Sequence, residues 1–83
     1  MVNASDLTRD LSKTITDHKG DIEDPVNNAM GYAEAIADVS STLKETIGLD
    51  WDNETIIKNF DVITRAANGS TEAIKTLYRE AAQ

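Results

Sequence analysis

Cysteine is absent from the 83 residues. No disulfide can staple the chain, and neither thiolate chemistry nor a cysteine-based zinc site is open to it. Histidine occurs once, at His18, so the usual multi-histidine metal sets cannot be assembled. Positive charge is scarce: eight Lys and Arg face fifteen Asp and Glu, a net charge of -7. Sequence-independent binding to nucleic acid and attraction to anionic lipid both rest on Lys and Arg, so no direct nucleic-acid contact is expected, whereas a basic protein surface is a compatible partner. No apolar run approaches the roughly 20 residues of a membrane span. The opening MVNASDLTRDLSK has neither the cationic start nor the apolar stretch of a secretory signal. The default expectation is therefore a cytoplasmic protein, with export that needs no signal peptide, or envelope association, as the alternative. Aromatics are few, with one Phe and one Trp. A chain this short buries only about 60% of its unfolded surface, and a small core without staples points to oligomerisation or partner binding.

What is present is helical periodicity. An apolar content of 40% is too high for an acidic disordered tail, and no period-2 alternation marks a strand. Leu7, Leu11 and Ile15 recur every four residues, with Asp6, Arg9, Asp10, Lys13 and Asp17 off that stripe. Ser5 is an N-cap candidate and Gly20 a C′ candidate, which predicts a helix over 5–19 behind a flexible N-terminus at 1–4. Asp24 followed by Pro25 signals a second start, with Pro25 at the first helical position. Val26, Ala29, Met30, Ala33, Ile36, Val39, Leu43 and Ile47 then follow at spacings of three and four, predicting a helix over 25–47 that Gly48 ends. A rival reading runs these two helices together with Pro25 as a kink. Ile56, Phe60, Ile63 and Ala67 predict a helix over 53–67. NGST stops and restarts the pattern, with Gly69 at C′ and Ser70 as N-cap, before a last helix over 70–82. The expectation is one small all-α domain over 1–83. It has three to four amphipathic helices, arranged as an antiparallel bundle or as a long helical hairpin turning at 48–52.

Few residues carry chemistry. Asp50, Asp52 and Glu54 have the 1, 3, 5 spacing of a calcium loop, but Thr55 stands where that loop needs Gly and Asp61 where it needs a bidentate Glu. Acids at a helix start have the simpler explanation of capping and dipole. His18 sits at a helix end without a nucleophile motif to serve. Three Asn-x-Ser/Thr triplets, at Asn3, Asn53 and Asn68, fall where capping already favours these residues. No cofactor, no metal and no catalytic residue is expected. The surface candidates are Ala29, Met30, Tyr32, Ala33, Ile36 and Val39, on the longest helix. There Gly31, Ala29, Ala33 and Ala37 form a low ridge on which another helix could pack. Beside them lie the acids Asp21, Glu23 and Asp24, within a segment, 17–38, that holds six carboxylates and one lysine. Trp51 is expected to staple the central turn.

Two family likenesses bear on the turn. Gly48-Leu49-Asp50 is similar to the start of the Gly-x-Asp-Ser-Leu motif of acyl carrier proteins. Trp51 replaces the serine that carries their phosphopantetheine arm, which excludes that function. The chain also resembles the WXG100 helical hairpins in size, acidity, lack of cysteine and a tryptophan in the central turn. That resemblance implies a secreted or envelope-associated hairpin, but Trp51-Asp52-Asn53 departs from Trp-x-Gly, and Ala82 stands four residues after Tyr78 where the export motif has an acid. The function expected is non-enzymatic: a protein–protein interaction or assembly protein, with another copy of itself as one candidate partner. The rivals are an acidic mimic of nucleic acid, of the phage anti-defence type, that occupies a basic cleft, and the WXG100-like hairpin. The premise is that the apolar stripes outnumber what one chain can hide.

Overall fold

Leu7 and Leu11 are wholly buried, and the four-residue spacing between them sets the face on which the first helix packs. The computed structural model describes residues 4–83, and those residues form six helices and no strand. They are α1 (Ala4–Asp17), α2 (Lys19–Glu23), α3 (Ala29–Ile47), α4 (Asn53–Lys58), α5 (Phe60–Ala67) and α6 (Thr71–Ala81). Of the N-terminal segment expected to be flexible, residues 1–3 lie outside the described residues, while Ala4 already belongs to α1. Ser5 is accordingly in the first turn rather than ahead of it.

The six helices are the expected stretches with hitches. Residues 5–19 do not stop at Gly20. His18 is a tightened turn whose N–H donates to the Ile15 carbonyl at 3.3 Å, and the Ile22 N–H then donates to the His18 carbonyl at 3.0 Å. Gly20 therefore lies inside α2, and its φ is not positive. Asn59, at φ -110°, interrupts 53–67 in the same way.

The start at Pro25 is displaced to Ala29. Proline keeps its predecessor out of the helical region, and Asp24 has φ -136° and ψ 71°, which ends α2. Asp24 does cap one turn: its carboxylate accepts from the Asn27 N–H at 3.3 Å. The turn does not propagate. The Asn27 side chain bonds back to the Asp24 carboxylate at 2.8 Å, and the Asn28 side chain to the Asp24 carbonyl at 3.1 Å. Such local bonds compete with the helix ladder, and Asn28 leaves the helix at ψ 46°.

The α1–α2 rod runs antiparallel to α3. The Thr14 and Thr42 hydroxyls are 3.0 Å apart, His18 Nε2 lies 2.6 Å from Asp38 Oδ2, and Asp21 rests against Gly31. On its other side α1 packs on α5, where the Thr8 hydroxyl donates to the Ala66 carbonyl at 3.1 Å. Helix α4 packs on α3, and α6 on α5. One apolar cluster joins every helix except α2, from Leu7 and Leu11 through Ile36, Val39, Leu43 and Leu49 to Ile56, Ile63, Ile74 and Leu77. The described residues extend 37 × 21 × 19 Å. A two-armed hairpin of this chain, with arms of about 40 residues, would reach roughly 60 Å at 1.5 Å per residue, so the hairpin alternative is set aside in favour of a folded bundle. None of the described helices is long and apolar enough to cross a membrane.

The two internal stops at glycine hold. Gly48 has φ 72° and ends α3, and Leu49 behind it is buried. At Gly69, φ 90°, the Ser70 N–H donates to the Arg65 carbonyl and the Gly69 N–H to the Ala66 carbonyl, both at 3.0 Å. This is the Schellman pattern. Ser70 then caps α6 by accepting from the Ala73 N–H at 3.3 Å.

The premise that the stripes exceed one chain's capacity is corrected by this packing. Leu7, Leu11, Ile36, Val39, Leu43, Ile56, Ile63 and Leu77 are all fully buried within the single chain.

Two measurements check this architecture. Gly20→Ala adds a methyl with nothing within 4 Å, at a helical position, so urea denaturation should show a gain of about 0.5–1 kcal/mol. Gly69→Ala forces a side chain into the left-handed region, and the same assay should show a loss of about 1–2 kcal/mol. Leu43→Ala, at the centre of the cluster, should cost about 2–5 kcal/mol, a large share of the roughly 5–15 kcal/mol that holds a domain folded. Its far-UV circular dichroism should therefore show a thermal transition well below the wild type's.

Candidate docking surface

The connection between α2 and α3, with the first turn of α3, carries two of the three exposed large apolar side chains among the described residues. Every residue from Glu23 to Met30 is exposed. Within it Val26 is 88% and Met30 83% exposed, and the only other exposed large apolar side chain among the described residues is Ile57, at 48%. Asp24, Pro25 and the two asparagines account for this. Their local hydrogen bonds hold the turn clear of the bundle, so the periodic stripe beginning at Val26 does not face the core until Tyr32.

The six apolar candidates of the long helix divide accordingly. Ala29, Met30 and Ala33 are exposed. Tyr32 is half-buried and packs against the core cluster. Ile36 and Val39 are corrected: at 1% and 0% exposure they are core residues of this chain and present nothing to a partner. The low ridge is corrected as well. Ala37 is exposed, but a methyl at Gly31 would run into the Asp21 carboxylate, so the glycine admits α2 of the same chain rather than a foreign helix. Val26 was legible as an apolar residue but not as an exposed one, and Asn27-Asn28 after Pro25 is the signal that marks it.

Charge surrounds this tip. Glu23 and Asp24 are exposed beside it, and Glu34 is exposed one helical turn beyond Met30. Asp21 is half-buried over Gly31. His18 spans the junction of the first two helices and α3: Nε2 is 2.6 Å from Asp38, Nδ1 is 3.8 Å from Asp21, and the side chain is 18% exposed. Its contact with Asp38, twenty residues away, was invisible to a reading of helix ends.

The rest of the surface shows little convergent chemistry. Among the described residues no polar or charged residue is buried, and no group of three His, Cys, Asp or Glu is placed to hold a metal. An open groove of about 510 Å³ runs between α1 and the α5–α6 turn, lined by Thr8, Arg9, Ser12, Gly69, Thr71 and Ile74 among others. In the central turn, the Trp51 ring is half-buried against the core and its carbonyl accepts from the Ser40 hydroxyl at 3.0 Å. Leu49, which sequence reasoning passed over, is the more deeply buried of the two. Asp52, from the calcium-like spacing, is the N-cap of α4 and accepts from the Thr55 N–H at 2.8 Å. Hydrogen bonds from the Thr55 hydroxyl and then its backbone N–H hold the Asp52 carboxyl below its usual value of 3.8, with a smaller contribution from Lys58.

The sign of the resulting pH dependence is fixed. A carboxyl with a depressed folded value stabilises the fold above its unfolded value and loses that effect as pH falls through the folded one. Asp52→Ala should therefore unfold at lower urea than the wild type near neutrality. The gap between the two midpoints should narrow once the pH drops below the ordinary carboxylate range.

No protein family, curated protein or solved structure matches this chain, so the meaning of the surface is argued from its geometry and charge.

Proposed function

We propose that this chain is a non-enzymatic protein-binding module that docks through the apolar tip formed by Val26, Ala29, Met30 and Ala33. The observation that carries the reading is the exposure of Val26 and Met30, four residues apart on one exposed segment, while the fully buried core draws in the other stripes. Burying a side chain of this size against a partner stabilises a complex by about 1.5–3 kcal/mol before the cost of association is deducted. Methionine adapts to irregular partner surfaces because its unbranched thioether chain has several rotamers of similar energy.

A second reading is favoured by a separate observation, the concentration of carboxylates over 17–38. In it the chain is an acidic inhibitor that occupies a basic, nucleic-acid-binding cleft. That reading uses the charge and has no use for the apolar tip, so side-chain substitution separates the two.

The test compares wild type with Val26→Ser/Met30→Ser, both immobilised and exposed to the same lysate of the source cells, with retained proteins quantified by mass spectrometry. Both positions are so exposed that the fold is not at risk. At least one protein should lose roughly tenfold or more of its retention on the variant, the loss expected from removing two buried apolar contacts. Identical profiles for the two proteins would end the docking reading and leave the acidic inhibitor.

A further inference from the structure

The charge of this chain is unevenly placed and unevenly neutralised. Residues 17–38 hold six acids against one lysine, a net of -5 out of -7 with His18 neutral. The other 61 residues hold nine acids and seven bases and are close to balance. In that balanced part four of the nine acids pair with a base: Asp6 and Asp10 with Arg9, Glu54 with Lys58, and Asp61 with Arg65. Among the described residues, no acid of 17–38 pairs with a lysine or arginine; Asp38 and Asp21 have only His18. Asp17, Glu23 and Glu34 are exposed, and the two glutamates stand three residues before Val26 and four residues after Met30 in the sequence.

The geometry points to a partner protein that offers an apolar patch rimmed by lysine or arginine, and against a second copy of this chain. This inference rests on the docking reading above and adds the chemistry of the occupant. The apolar pair is left uncovered by its own chain, so its complement is an apolar surface. The carboxylates around it lack internal cations, so the complement is basic. Two copies meeting at this end would set like charges against each other, which disfavours self-association and suppresses wrong partners. Opposite charge also speeds encounter, an effect that weakens as salt shortens the screening length from about 14 Å at 0.05 M to about 6 Å at 0.3 M.

The probes are three synthetic amphipathic peptides of about five helical turns: one of Lys and Leu, one of Glu and Leu, and one of Lys and Ser. Each is titrated into the isotopically labelled full chain and followed by nuclear magnetic resonance. The Lys/Leu peptide should shift signals of residues 17–38, including the Val26 and Met30 methyls, and weaken about tenfold or more between about 0.05 M and about 0.3 M salt. The Lys/Ser peptide should bind at least about tenfold more weakly, and the Glu/Leu peptide should not bind. Asp17→Asn/Glu23→Gln/Glu34→Gln and Val26→Ser/Met30→Ser should each lose about tenfold or more of the Lys/Leu affinity while keeping the wild-type circular dichroism. Equal binding of the Glu/Leu peptide, indifference to either set of substitutions, or shifts centred elsewhere overturns the proposal. So does a wild-type dimer whose shifts fall on Val26 and Met30. A lysate protein whose retention depends on Val26 and Met30 but not on the three neutralised acids keeps the docking reading and ends this one.

Discussion

Helix α1 is the common wall of this molecule. It packs on α3 through one flank and on α5 through another, and Leu7 and Leu11, both fully buried, are its share of the joint cluster. The second half of the chain reaches the first largely through this helix and through the pairing of α3 with α4. The Thr8 hydroxyl adds a polar tie by donating to the Ala66 carbonyl at the end of α5, which also accepts from the Gly69 N–H of the helix cap. Small domains are held by few large side chains, so a helix that serves two neighbours governs the stability of both.

That arrangement determines what stays outside. Because α1 and α2 cover one side of α3, the register of the antiparallel pair decides which residues of α3 are covered. Coverage begins near Gly31, where Asp21 lies, and continues through Asp38 and Thr42. Residues before that point overhang. The tip at Val26 and Met30 follows from α2 ending at Glu23, a consequence of Asp24 preceding proline. The uncovered end is also the acidic end, so the chain presents its apolar and its charged features together.

Most of the fold was legible, and the failures have distinct causes. The all-α class and the stops at Gly48 and Gly69 followed from periodicity and from the left-handed preference of glycine at helix ends. Gly20 was misread because a glycine in a helix and one beyond it look alike in sequence. Only the continuing ladder from His18 to Ile22 distinguishes them. The start at Pro25 was half right: the cap exists, but Asn27 and Asn28 turn their side chains back on it. Ile36 and Val39 were nominated for a surface because periodicity shows which residues share a stripe and not what covers it. Ala29, Met30 and Ala33, on the same stripe, stay exposed. The contacts of His18 with Asp38 and of Asp21 with Gly31 depend on the register of two helices, which no local pattern encodes.

The exposed run from Glu23 to Met30 has one more consequence. Between the helices, the hydrogen bonds of residues 24–28 run within the turn, apart from one from Asp24 back to α2 and one from α3 back to Asn28, and no side chain from Glu23 to Met30 is buried. The peptide link there therefore contributes chiefly by keeping α1–α2 and α3 at high local concentration, a loop-closure effect that varies slowly with length. The segments on either side also meet in the core, where α1 packs on α3. This makes the turn the natural place to lengthen the chain, to nick it, or to divide it into two pieces that reassemble.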